Sequence, residues 1–169
     1  FAGAIFGFFY AWICSTMWGL DDADPRVAIA AMQAMNASVR NAVFFPAFFL
    51  TPVVLGAAAV LLHRDDRRRA SRWFGLAAIV YLLGGLLLTM AVNVPMNEDL
   101  ARHTDVLSES AAAHVWEDYS GPWQVWNTVR TVASGAALAF AANGLRFLSP
   151  GNVRSRQARL TSSSQSSLK

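Results

Sequence analysis

The stretch Trp73–Val92, WFGLAAIVYLLGGLLLTMAV, carries no charge over its whole length. About 20 apolar residues, rising ~1.5 Å each, cross the ~30 Å hydrocarbon core of a bilayer as a helix. The next residues are Asn93-Val94-Pro95-Met96-Asn97. Proline lacks an amide donor and disfavours helix at the residue before it, so a break is predicted near Val94. The break would free backbone carbonyls beside two carboxamides that can both donate and accept hydrogen bonds. At membrane depth such backbone is tolerated only against protein or a wet cavity. Two readings stand at this point: a plain polar helix end with a proline stop, or one wall of a site.

Two more uncharged runs precede this one. Phe1–Leu20 has Gly3, Gly7 and Ala11 four apart, a smooth face for close helix packing. Val43–Leu62 contains Pro46 and Pro52, which predict a kink or a late start. A fourth span is expected from about Trp123 to Leu148, with Ala133, Ala137 and Ala141 as a small-residue ridge. The fold expected is therefore all-α, an integral membrane four-helix bundle over 1–148, with spans near 1–20, 43–62, 73–92 and 123–148. Composition agrees: 54% of the 169 residues are hydrophobic and 15% charged, where soluble domains carry about 25% charge. The first run is expected to be an uncleaved helix, because no basic leader is visible and Trp12, Cys14 and Met17 do not form a small-residue cleavage site. Cys14 is the single cysteine, which excludes an intrachain disulfide and a cysteine metal cluster.

The connections carry the charge. Asp24-Pro25 signals a helix start, and Arg26–Asn41 reads as a short helix at the membrane surface or against the bundle mouth. His63–Arg72 holds five arginines and reads as a topology-setting cytoplasmic loop, not a nucleic-acid site. Residues 98–121 are acidic, with a second short helix expected over Asp105–Tyr119 and a restart at Gly121-Pro122. Residues 149–169, Ser-rich and basic, are expected to be a disordered cytoplasmic tail. The two basic segments belong inside, so the chain is expected as an integral protein of a bacterial plasma membrane with both termini in the cytoplasm. The outward connections 21–41 and 93–122 hold nine of the eleven acids.

At about 100° per residue, Trp123, Trp126, Asn127 and Arg130 fall within an arc of about 100°. Counted back from Leu148, Arg130 lies about 27 Å along the axis, near the outer edge of the hydrocarbon. It either snorkels to outer headgroups or is held inside as part of a site. Two indoles and an amide on the same face suggest the wall of a chamber, with Asn93 and Asn97 opposite. Such a chamber suits a flat aromatic or quinone-like ligand whose charged oxygen is held by Arg and Asn. No base is obvious; His103, His114, Asp21, Asp22, Glu117 and Asp118 in the outward loops are the candidates. The spacing of His103 and His114 matches no strong metal pattern, so no metal site is predicted.

Three pieces, Ala31-Met32-Gln33-Ala34-Met35-Asn36, Asn93-Val94-Pro95-Met96-Asn97 and Trp123-Gln124-Val125-Trp126-Asn127-Thr128-Val129-Arg130, occur in order around four expected spans. In them the chain resembles the DUF1772, or anthrone oxygenase-like, family of four-helix membrane proteins. The resemblance implies oxidation of an anthrone-type aromatic by molecular oxygen, with no cofactor required. By matching motif it also implies a site of Gln33, Asn36, Asn93, Asn97, Trp126, Asn127 and Arg130. For such a reaction Asn93, Asn97, Asn127 and Arg130 are the expected catalytic residues, with Gln33, Asn36, Trp123 and Trp126 binding the ligand. The alternatives are a non-enzymatic membrane subunit binding a partner protein, lipid or quinone, alone or as a homo-oligomer, and a transporter.

Overall fold

The computed structural model describes residues 1–104 and 106–148; the expected tail at 149–169 lies outside the described residues. The described residues form helices and no strand: α1 (Ala2–Asp21), α2 (Pro25–Ser38), α3 (Phe44–Arg64), α4 (Arg68–Leu100) and α5 (Glu109–Arg146). Of these, α1, α3 and α4 are long and apolar enough to cross a membrane. The long helix α5 is not among them, because Asn127, Arg130, Thr131 and Ser134 dilute its apolar content. All four of those side chains are buried against the other helices, while Val125, Val129 and Val132 face outward.

Local chemistry sets the helix ends. Asp24 caps α2 by accepting from the Arg26 N–H at 2.9 Å, with Pro25 in the first turn. The Arg26 side chain and N–H hold the Asp24 carboxyl down at about 2. Asn41 Oδ1 accepts from the N–H groups of Val43 and Phe44, both at 2.9 Å, and starts α3 ahead of Pro46. Pro52 is buried inside α3, which continues through it.

Two expected breaks do not occur. Helix α4 turns π-helical over Leu82–Leu87 and again over Thr89–Asn93, then continues as α-helix from Val94 to Leu100. Val94 N–H donates to the Thr89 carbonyl, five residues back. An α-turn would drive the Pro95 ring into the carbonyl four residues earlier; the wider π-turn ahead of it gives that ring room. Helix α5 likewise runs through Gly121-Pro122 without restarting, so among the described residues no separate helix stands between α4 and α5. Trp116 and Ser120 before the proline, and Gln124 after it, all donate to the Asp21 carboxylate at 3.0, 2.6 and 2.9 Å. Tyr119 and Trp123, also on either side of Pro122, both donate to Asn97. These tethers keep the two halves of α5 in line against the local preference of proline.

The core is in two parts. One cluster joins Trp12, Met17, Ile29, Met32, Leu100, Trp116, Tyr119 and Trp123 from α1, α2, α4 and α5. The other joins Ile5, Phe9, Phe48, Leu55, Ala77, Tyr81, Ala137 and Ala141 from α1, α3, α4 and α5. Lipid is as apolar as leucine, so helices in a bilayer are held by close packing and hydrogen bonds more than by the hydrophobic effect. Both occur here. Tyr81 Oη donates to the Phe48 carbonyl at 2.9 Å and ties α4 to α3. A Cβ built on Gly84 would lie 2.5 Å from Ala133 Cβ, and one on Gly144 would lie 2.9 Å from the Phe74 ring. Only glycine permits α4 and α5 to approach this closely. Gly84→Ala is expected to cost about 1–3 kcal/mol through overpacking, lowering the unfolding midpoint in detergent. Gly56→Ala, where a Cβ meets nothing within 4 Å, is expected to leave that midpoint unchanged or raise it.

Candidate functional site

Arg130 enters the bundle from α5, one turn beyond Asn127. Its side chain sits where the two core clusters meet, with the residue only 5% exposed. One terminal nitrogen donates to Asn127 Oδ1 at 2.7 Å and the other to Thr89 Oγ1 at 3.4 Å. The guanidinium carbon lies 4.5 Å from the centre of the Phe9 ring and 5.2 Å from that of Trp123, a cation–π arrangement. Asn127 is held in turn by donating to the Phe9 carbonyl at 3.2 Å. Arg130 Nε is buried with no partner. Among the described residues, no carboxylate forms an ion pair with this guanidinium.

On α4 the facing residues are Thr89, Asn93 and Asn97, each one turn from the next. Asn97 Oδ1 accepts from Tyr119 Oη at 2.8 Å and Trp123 Nε1 at 2.9 Å, while its Nδ2 donates to Asn36 Oδ1 at 3.0 Å. One carboxamide thus ties α2, α4 and α5 together. Asn93, between the two bonded positions, is fully buried and neither of its amide atoms has a partner. Asn36 Nδ2 is also buried and unpartnered.

A cavity of about 280 Å³ opens beside these groups. Its aromatic wall comes from Phe8, Phe9, Trp12, Phe44, Phe48 and Trp123, and its polar groups are Asn36, Thr89, Asn97, Arg130, Arg40 and Glu98. Trp12 and Trp123 pack with ring centres 5.1 Å apart. Of the residues singled out from sequence, Asn36, Asn97, Trp123 and Arg130 line this one cavity, and Asn127 braces Arg130 from behind. Three others stand elsewhere. Asn93 is buried on α4 and is not part of the cavity lining. Trp126 is 38% exposed on the outside of the bundle. It lies at the edge of the helical arc, about 60° from the centre of the buried stripe that runs through Trp123, Arg130 and Ser134. Gln33 Nε2 donates to the carbonyls of Leu100 and His103 at 2.8 and 3.1 Å, so it caps the end of α4 and does not face the cavity.

None of the six candidate bases reaches the cavity lining. Asp21 is occupied by its three donors from α5. His114 pairs with Asp118 at 3.1 Å on the exposed side of α5; its own backbone and the Asp118 carboxylate raise the imidazole pKa above its ordinary value. His103 lies in a separate cleft with Asp99, Asp118 and Tyr119. Among the described residues, no three His, Cys, Asp or Glu side chains converge as metal ligands. The carboxylate on the cavity wall is Glu98, which pairs loosely with Arg40 at 3.8 Å. A helix break at Val94, as the sequence suggests, would detach it from this wall. With α4 intact, Met90, Val94, Asn97 and Glu98 follow at helical spacing on one face, and all four line the cavity.

A helical membrane protein with a polar, aromatic-lined cavity is the class that fold and site define. The family model described as anthrone oxygenase matches residues 34–140, more than half of the chain, and the protein belongs to that family. No curated protein and no solved structure matches it.

The Asn97 network carries a direct test. Asn97→Leu removes the acceptor of Tyr119 and Trp123 and leaves two donors unpaired. Each is expected to cost about 1–3 kcal/mol, seen as a lower unfolding midpoint and a change in tryptophan emission. Trp126→Phe is expected to change neither by a comparable amount.

Proposed function

We propose that the protein is a membrane oxygenase of the anthrone oxygenase type, oxidising a flat aromatic, anthrone-like substrate with molecular oxygen. One observation carries this reading: a buried guanidinium without a carboxylate partner faces an aromatic cavity and keeps an unpaired N–H. Leaving a charge so buried is costly, and an anionic oxygen on a ligand would complete it. Asn36 adds a second unpaired donor on the same wall. The rings of Phe9, Trp12 and Trp123 would flank a planar ligand.

In an anthrone the carbonyl and the reactive methylene lie on opposite sides of the central ring. With the carbonyl oxygen toward Arg130, deep in the cavity, the methylene points back toward Glu98. Glu98 takes a proton from that carbon, and the negative charge delocalises onto the oxygen held by Arg130. The carbanion gives its electrons to O2 and forms the C–O bond, and a proton completes the hydroperoxide. Loss of the remaining hydrogen on that carbon with cleavage of the O–O bond gives the ketone and water. The methylene compound and O2 are consumed, and the ketone and one water are produced. Asn127 and Thr89 act as positioning residues for the guanidinium, and Asn97 for Trp123. No cofactor enters this scheme beyond oxygen as co-substrate.

The same reading takes α5 as a fourth span. Its polar side chains turn inward, and valines cover the lipid side. Arg67 donates to the Leu148 carbonyl at 3.5 Å, so the arginine-rich connection lies beside the end of α5. Asp21, joined to Trp116, Ser120 and Gln124, marks the opposite, acidic end. Arginine clustering favours the cytoplasm for the first of these ends, and with it the N-terminus, in a plasma membrane.

Protein in vesicles is expected to consume oxygen when given an anthrone and to yield the quinone. Arg130→Leu should lower kcat/KM by about 10²–10³, and Glu98→Gln by about 10²–10⁴. Both variants should remain folded by size exclusion. An oxygen electrode and absorbance of the product read the result. Ligand binding without oxygen uptake by the unaltered protein would remove the enzyme reading and leave a non-catalytic membrane subunit.

A further inference from the structure

Helices α3 and α4 run antiparallel from the arginine-rich connection and pack along Arg68–Tyr81. The bond from Tyr81 Oη to the Phe48 carbonyl lies near the end of that contact. Beyond it α4 changes to π-helical turns and the two helices part. The cavity occupies the gap. Its outer lips are Phe45 and Phe49 on α3 and Met90 on α4, exposed by 41%, 40% and 46%. Both helices are apolar enough to cross a membrane, and Met90 falls within the uncharged run Trp73–Val92. The exposed lips are therefore at hydrocarbon depth. Further toward the acidic end, Arg40 and Glu98 meet across the cavity wall, forming a polar bar at the level where the uncharged run has ended. The neighbouring groove between α1 and α3 does not include Arg130. Phe8 and Phe44, with ring centres 4.9 Å apart, separate the two spaces.

We infer that the cavity opens sideways into the bilayer between α3 and α4, and that the ligand enters there, beneath the Arg40–Glu98 bar, from the lipid phase. The occupant is a planar aromatic molecule dissolved in the bilayer, its carbonyl oxygen leading toward Arg130. This identity of the occupant rests on the oxygenase reading; the opening itself rests on the divergence of the two helices. Apolar polycyclic phenols concentrate in lipid, so a side opening delivers them without passage through water. The polar bar lies over the aqueous side, and the lips admit an apolar edge.

Two measurements separate the opening from the chemistry. In a Cys14→Ala background, nitroxide labels at Phe49→Cys and Met90→Cys in vesicles are expected to be relaxed more by oxygen than by a water-soluble nickel chelate. Relaxation dominated by the chelate overturns the inference, because the lips would then face water. Separately, Phe49→Trp and Met90→Trp, which narrow the gap, should reduce turnover of an anthrone preloaded in the vesicles at least tenfold. Unchanged turnover in both folded variants also overturns it. If the unaltered protein shows no turnover, the oxygenase reading fails, and the label accessibilities alone decide the side opening.

Discussion

The arginine at 130 is a permanent positive charge inside a bundle built largely of apolar helices, and most of the other polar choices follow from it. A guanidinium in such a place needs acceptors, and Asn127 and Thr89 supply two of them. It also benefits from the faces of Phe9 and Trp123, whose ring quadrupoles attract a cation. Those rings must be held, so Trp123 is pinned through its indole N–H to Asn97, and Asn97 is pinned to Asn36. The chain of dependence runs from one charge to three helices within a few contacts. The polar face this creates on α5 has a second effect. It lowers the apparent apolarity of that helix although its outward side carries Val125, Val129 and Val132.

A balanced set of partners would make this layer a purely structural network, and it is not balanced. The guanidinium Nε, one amide nitrogen of Asn36 and both amide atoms of Asn93 are buried without partners. Folded proteins rarely leave such groups unpaired. Two of the three residues line the cavity. The vacancy in hydrogen bonding therefore lies next to the aromatic-lined cavity, which is why a ligand with an oxygen that takes up negative charge is proposed.

Much of this was legible in the residues themselves. Uncharged runs of bilayer length located α1, α3 and most of α4. Asp24-Pro25 gave the start of α2, and the helical spacing of Trp123, Asn127 and Arg130 gave the inward face of α5. What failed was local rules applied without tertiary contacts. Those rules make proline a stop at residues 95 and 122. At the first a π-turn absorbs the ring, and at the second Asp21 and Asn97 hold both sides. A break drawn at Val94 then hid Glu98, although it follows Val94 by one turn. Spacing alone puts Trp126 inward because an arc of about 100° is as wide as the buried stripe itself, and its edge faces outward. Tyr119 carries no role in the sequence reading, and Asp21 reads there as a candidate base instead of a tether, since the partners of both lie far away along the chain.

The indoles of Trp12 and Trp123 stand 5.1 Å apart on the cavity wall, one on α1 and the other on α5. Quinones accept electrons readily from excited indoles at contact distance. Any quinone held there would darken these two fluorophores. The protein thus carries its own optical gauge of occupancy, located at the seam between α1 and α5 and needing no added dye.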